Sequence, residues 1–199
     1  MRKITEKKER YLGVKLFLKP ERCSSPKCVM IRRPYRPGVH GAKRRGPVSD
    51  YGRQLREKQK IQIVYGLTNR QMCNLFKEPL GKILLILEQR LDRVVYLLGL
   101  APSPRVARQF ISHGHIQVNQ RKVTIPSFHV KVGDIVGIRP ESRKAKIFEG
   151  LPEKLKQYQP PAWLELNKEE LKGKCVANPR AEEINLGADA NLVGQFYSR

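Results

Sequence analysis

Acidic residues are scarce in this chain: 18 Asp and Glu stand against 40 Lys and Arg, a formal net charge of +22 over 199 residues. Such an excess destabilises a compact state by self-repulsion unless a polyanion neutralises it, so nucleic acid is the default partner. Long apolar runs are missing too. None reaches the length of a membrane span, and the amino terminus carries no apolar signal core, so neither a spanning nor a secreted protein is expected. A basic membrane-surface protein is the competing reading, but it needs a long amphipathic helix or a lipidation signal, and neither is found. A cytoplasmic protein with no membrane partner is the expectation.

Catalytic signatures are equally absent: there is no GxSxG, HExxH, Walker loop or dinucleotide fingerprint. The four His are dispersed or sit at His113 and His115 across a turn, and the pairs Glu169-Glu170 and Glu182-Glu183 read as solvated charges in polar turns. No enzyme and no cofactor are expected. Cysteine is sparse. Cys23 and Cys28 supply two thiolates, residues 1–22 hold no Cys or His, and His40 is the only nearby third donor, so a tetrahedral metal site would be incomplete. Cys73 and Cys175 lie in contexts that read as packed helix and strand. The expectation is no metal, an inert or solvent-facing thiol pair, and no disulfide in a reducing compartment.

What is present centres on residues 91–138. Leu91, Val94, Val95 and Leu98 share one helical face, with Gly99 placed as a C-terminal cap. Ser103 caps a second helix, Pro104 suits its first position, and Gly114 offers the left-handed exit, so Arg105 to His113 reads as a short helix facing the core through Val106 and Phe110. Arg105 and Arg108 then share a neighbouring outward face. Residues 115–118 and Lys122-Val123 flank Asn119-Gln120 as a tight hairpin, and residues 132–134 turn the chain into the strand Ile135 to Ile138. A cationic helix beside a rigid β-unit can grip a folded polyanion through forked arginine donors.

Charge is concentrated at one end. Met1 to Lys60 holds 19 basic and 5 acidic residues, about two thirds of the whole excess. Pro34, Pro37, Gly38, Gly41, Gly46 and Pro47 interrupt regular structure there, so an extended arm is expected. A disordered solubilising tail is the bland alternative. Tyr35 and His40 interleaved with cations and fixed Pro-Gly turns favour a segment that orders against RNA. From Ser49 the pattern becomes globular: Ser49 or Asp50 caps a helix with Tyr51, Leu55, Gln62 and Tyr65 in one stripe, Gly66 ends it, and Thr68-x-x-Gln71 is a capping box. Pro79-Leu80-Gly81 breaks the chain before an apolar helix, and the module's boundary is expected near this break. Beyond Ile138 come a basic connector, a short helix at Leu151 and Leu155, a strand at residues 163–166 anchored by Trp163, a polar turn over Asn167 to Lys174, a helix start at Pro179 to Glu183, and a last apolar surface at Leu192, Val193, Phe196 and Tyr197.

The run Arg90-Leu91-Asp92-x-Val94-Val95-Tyr96, with Ala107-Arg108-Gln109, His113-Gly114-His115-Ile116-x-Val118-Asn119, Pro126-Ser127 and Gly133-Asp134, resembles the RNA-binding module of the bacterial-type small-subunit ribosomal protein number four family. Arg33-Pro34-Tyr35-x-Pro37-Gly38-x-His40-Gly41, Ser49-Asp50-Tyr51, residues 55–60 and Phe196-Tyr197-Ser198-Arg199 extend the likeness over nearly the whole chain. Two departures stand inside the module: Pro104 follows Ser103 where a second basic residue is expected, and Gln120 replaces a turn glycine. The resemblance implies an α+β fold with an extended basic arm (1–48), a discontinuous mainly helical domain (49–84 with 166–199) and a small αα-β module domain (85–165, RNA-binding core about 91–138). Members often hold zinc with two cysteine pairs, so Cys23 and Cys28 read as a vestige.

The resemblance also implies function. The chain would bind the 5′ domain of small-subunit ribosomal RNA directly, nucleate assembly, touch the neighbouring small-subunit protein number five, and affect decoding accuracy where mRNA enters. Candidate RNA contacts on the arm and first long helix are Arg32, Arg33, Arg36, His40, Lys43, Arg44, Arg45, Arg53, Arg56, Lys58 and Lys60. Those on the module are Arg105, Arg108, His113, His115, Asn119, Arg121 and Lys122. Replacing Arg105 and Arg108 together is expected to lower the slope of log affinity on log salt by about one to two units. The alternative is an accessory chain of an RNA-modifying enzyme or synthetase. That reading needs a catalytic domain, which the residues outside the module and arm do not supply.

Overall fold

The computed structural model describes residues 6–43, 46–180, 184 and 187–198. Contacts group the chain into two compact units, Met1–Leu80 with Asn185–Arg199, and Gly81–Ile184.

The first unit begins with three short helices, α1 (Lys7–Leu12), α2 (Pro20–Cys23) and α3 (Val29–Arg32). An extended arm is the sequence expectation; the segment instead folds around buried polar chemistry beside a small buried set of Leu12, Cys23 and Cys28. Glu9 is 2% exposed and accepts from the amides of Leu16 and Leu18, while Arg10, 8% exposed, donates to three carbonyls of the 33–36 turn. Helix α4 (Asp50–Val64) starts where Ser49 Oγ accepts from Gly52 N at 3.2 Å. Helix α5 (Asn69–Leu75) starts with the complete Thr68–Gln71 capping box. Helix α10 (Ala190–Tyr197), capped by Asp189, packs along α4. The inner face of α4 differs from the expected stripe: Tyr65 and Ile61 are buried, Gln54 turns inward to donate to Gln195 Oε1 at 3.3 Å, and Tyr51 stays exposed with its ring tilted against Phe196.

The second unit carries α6 (Leu80–Glu88), α7 (Leu91–Leu97), α8 (Pro104–Ser112), β1 (Ile116–Val118), β2 (Arg121–Lys122), β3 (Ile135–Ile138), α9 (Leu151–Lys156), β4 (Leu164–Asn167) and β5 (Lys172–Cys175). All five strands form one antiparallel sheet in the order β2-β1-β3-β5-β4. Its inner face, with Val118, Val136, Ile138 and Leu164, closes over Leu91 and Val94 of α7, Leu98 at its C-terminal cap and Ile111 of α8. Burial of this apolar set is the main force holding the unit together. Trp163 is inside the same core, as an anchor should be.

The polar turn expected over Asn167 to Lys174 ends in a strand instead: Lys172 to Lys174 pair with β3 (Ile135↔Lys174, Gly137↔Lys172), and Cys175, read as packed strand, completes β5. Contacts divide the chain at 80/81, at the Pro79-Leu80-Gly81 break, and at 184/185. The strand is hard to see because its inward positions are Gly173, whose bare Cα lies against Leu98, and Cys175, while Lys172 and Lys174 face away. Of the expected helix start at Pro179 to Glu183, residues 181–183 lie outside the described residues, and Pro179 and Arg180 belong to no regular element. Among the described residues, no helix is long and apolar enough to cross a membrane.

Candidate nucleic-acid interface

In the second unit the interface is built on α8 and the β1–β2 hairpin. Ser103 Oγ accepts from Val106 N at 3.3 Å and Pro104 occupies the first turn, so α8 starts at a fixed place. Burial of Ala107, Phe110 and Ile111 then sets which face looks out. Arg105 and the exposed Gln109 lie on that outward side, and no partner engages Arg105 among the described residues. Gly114 leaves the helix at φ +77°, and a Cβ there would collide with the aliphatic chain of Lys122. That contact brings Lys122 beside the helix exit. Arg121 and Lys122 are both exposed.

Arg108 behaves differently. Its Nε donates to Asp92 Oδ2 at 2.7 Å, and Arg90 reaches both oxygens of the same carboxylate at 3.1 and 2.9 Å. Asp92 is 2% exposed. Arg108 therefore ties α8 to the start of α7 and cannot present its whole guanidinium to phosphate. His115 is likewise engaged: Nδ1 lies 3.0 Å from Ser142 Oγ, and its ring meets Phe110 and Phe148 edge-on. Burial, with His113 and Arg139 nearby, lowers its pKa. His113 is exposed at the end of α8. Asn119 uses both ends of its amide, donating to Asp134 Oδ1 at 2.8 Å and accepting from Ile135 N at 2.9 Å. It shapes the hairpin on which Arg121 and Lys122 stand.

In the first unit, Arg32, Arg33, His40 and Lys43 are exposed, and the Arg36 guanidinium sits 5.2 Å over the Tyr11 ring. Arg44 and Arg45 lie outside the described residues. On α4, Arg56 is half-buried and Arg53 pairs with Asp50. Lys60 is taken up by Glu57 at 2.6 Å, and Lys58 sits 4.7 Å over Phe196 and 5.4 Å over Tyr197. Lys60 is thus tied within α4 and Lys58 joins α4 to α10, and sequence alone had no means of separating them from free cations. Arg10 and Arg90 were not among the candidates, and each proves to be a structural anchor.

Of the two alternatives for Cys23 and Cys28, inert or solvent-facing, burial excludes the second, and it raises the Cys23 pKa; Cys73, expected to be packed, is exposed. Among the described residues no group of three His, Cys, Asp or Glu could hold a metal. Two thiols alone do not fit a structural zinc.

An α+β module with an exposed cationic hairpin and Arg105 on the outward side of the adjoining helix, on a chain of charge +22, is that of an RNA-binding protein. Residues 89–136 match the S4 domain, and residues 2–93 match the ribosomal protein S4/S9 N-terminal domain. Small ribosomal subunit protein uS4 of Thermus thermophilus is 47% identical over 194 residues, covering 94% of this chain and 93% of its own. The uS4 proteins of Halothermothrix orenii and Syntrophomonas wolfei are 47% and 44% identical over the same shares. The chain belongs to the uS4 family of small ribosomal subunit proteins. It is a structural ribosomal protein, not an enzyme.

Proposed function

We propose that the chain binds the 5′ domain of small-subunit ribosomal RNA directly, early in assembly, and holds a junction of RNA helices by shape and phosphate position. The observation that carries this reading is the exposed pair Arg121 and Lys122 on the hairpin that Asn119 shapes, with Lys122 against Gly114 at the exit of α8, and Arg105 on the outward side of the first turn that Ser103 caps. Rigidly placed cations suit A-form RNA, whose deep groove hides base edges and leaves phosphates and ribose hydroxyls to be read. Arg32, Arg33, His40 and Lys43 supply a second set of contacts on the other unit. Family membership supports further roles beside neighbouring small-subunit proteins, number five above all, and near the channel by which mRNA enters, with an effect on decoding accuracy.

The test is binding of the full chain to a 5′-domain transcript over a salt series. Because Arg108 is held by Asp92, the informative double variant is Arg105→Gln with Arg121→Gln. It should flatten the slope of log affinity against log salt by about one to two units. An unchanged slope would move the phosphate contacts away from this face.

A further inference from the structure

The basic arm poses a question that its cations do not answer: a segment with this charge and so few apolar residues has little reason to hold one shape. Arg10 supplies the reason. Its Nε donates to the carbonyls of Arg33 and Tyr35 at 3.0 and 2.9 Å, and its Nη2 reaches the carbonyl of Arg36 at 3.3 Å. Its guanidinium also lies 5.0 Å over the Tyr35 ring. The residue is 8% exposed, and among the described residues no carboxylate pairs with it. A buried cation is costly unless its donors are satisfied, so closing the 33–36 turn around those donors and satisfying them are one event.

Two neighbours lock the same turn. The carbonyl that Nη2 reaches, Arg36 O, lies directly against Gly41, where any Cβ would collide with it. Gly41 N in turn donates to Gly38 O at 3.1 Å. On the other side of α1, Glu9 gathers the amides of Leu16 and Leu18. The side chains of Arg32, Arg33, His40 and Lys43 remain at the surface.

We propose that Arg10 is a positioning residue that preorganises the arm for RNA: a buried cation gathers the 33–36 carbonyls and so presents the surrounding exposed cations in a binding-competent shape before RNA arrives. This rests on the reading of the arm as an RNA contact. It reverses the expectation that the arm orders only against RNA. Affinity then scales with the fraction of molecules whose arm is closed, so a variant closed one tenth of the time binds about tenfold more weakly.

The experiment pairs amide hydrogen exchange of the free full-length chain with transcript binding over a salt series, for wild type, Arg10→Gln, Arg10→Lys and Gly41→Ala. Exchange at the Gly41 and Lys43 amides reads arm closure, and the Val136 amide of the other unit controls for general unfolding. Arg10→Gln should speed exchange at Gly41 and Lys43, leave Val136 protected, and weaken binding by the reciprocal of the remaining closed fraction. The salt slope should stay unchanged, since Arg10 is buried away from phosphate. Gly41→Ala, which removes no charge, should reproduce the pattern and serves if Arg10→Gln does not fold. Arg10→Lys keeps the charge without the planar fork and should fall the same way.

Unchanged exchange, faster exchange with undiminished affinity, a lowered salt slope, or full rescue by lysine would each overturn the proposal. A wild-type chain that fails to bind the transcript would instead sink the RNA reading, and exchange would still decide whether Arg10 closes the arm.

Discussion

Arg108 and Asp92 meet in the interior of the second unit, with the guanidinium Nε 2.7 Å from a carboxylate oxygen that Arg90 also holds at 2.9 Å. Both arginines keep under a fifth of their side-chain surface exposed, and Asp92 keeps almost none. Removing the carboxylate would strand two cations in a poorly solvated place. Asp92→Ala should therefore cost about 3–5 kcal/mol, read as a drop in the urea midpoint followed by the fluorescence of Trp163, the single tryptophan. In a double-mutant cycle, Asp92 and Arg108 should couple by about 1–3 kcal/mol. An additive cycle would mean that the pair does not hold α8 to α7.

The sequence was most legible where local chemistry decides structure. The caps at Ser49, Thr68 and Ser103 act within three residues of their targets, and each forms. What depended on distant partners was hidden. β5 exists because β3 lies beside it, and its glycine and lysines carry no alternating apolar signal. The inner face of α4 is chosen by α10, which buries Gln54 and keeps Tyr51 at its edge, against Phe196 but still exposed. Among cations the ambiguity is sharpest: Arg105 and Arg108 share one helix and one side-chain chemistry, yet the buried Asp92 holds Arg108 as a strut.

Gln120 replaces a turn glycine, and the turn forms regardless. Asn119 and Gln120 sit at φ +48° and +65°, the left-handed pair that a type I′ hairpin requires, with Val118 paired to Arg121 across it. Asn119 offsets its strain through the bonds to Asp134 and Ile135, but Gln120 has no such compensation among the described residues. Gln120→Gly should stabilise the second unit by about 1 kcal/mol, seen as a higher urea midpoint. A lower midpoint would show that the glutamine side chain holds the turn.

Acid should act through His115. Burial lowers its pKa in the folded chain, so the unfolded chain binds a proton more readily near pH 6. The neutral form thus contributes stability that is present above the unfolded value of about 6.5 and is lost as pH falls through the lower folded value. Thermal melts from pH 8 to pH 5 should show a steeper loss for wild type than for His115→Gln. Parallel curves would mean that the imidazole titrates alike in both states.

Tyr197 presents the opposite sign at the other end of the pH scale. Its ring stacks on Phe76 with centroids 5.1 Å apart, yet its buried hydroxyl finds no partner among the described residues. Burial, with a smaller contribution from Cys73, pushes its pKa up to about 12. Tyr197→Phe keeps the stack and removes the unsatisfied oxygen, so it should gain about 1 kcal/mol at neutral pH. A raised folded pKa gives stability that is full below the unfolded value, about 10, and is lost as pH climbs towards 12. Urea midpoints by far-ultraviolet circular dichroism should therefore place the phenylalanine variant above wild type at pH 7, with the gap widening at pH 11. A variant weaker than wild type at pH 7 would mean that the hydroxyl is hydrogen-bonded in solution, and a constant gap would mean that it titrates as freely folded as unfolded.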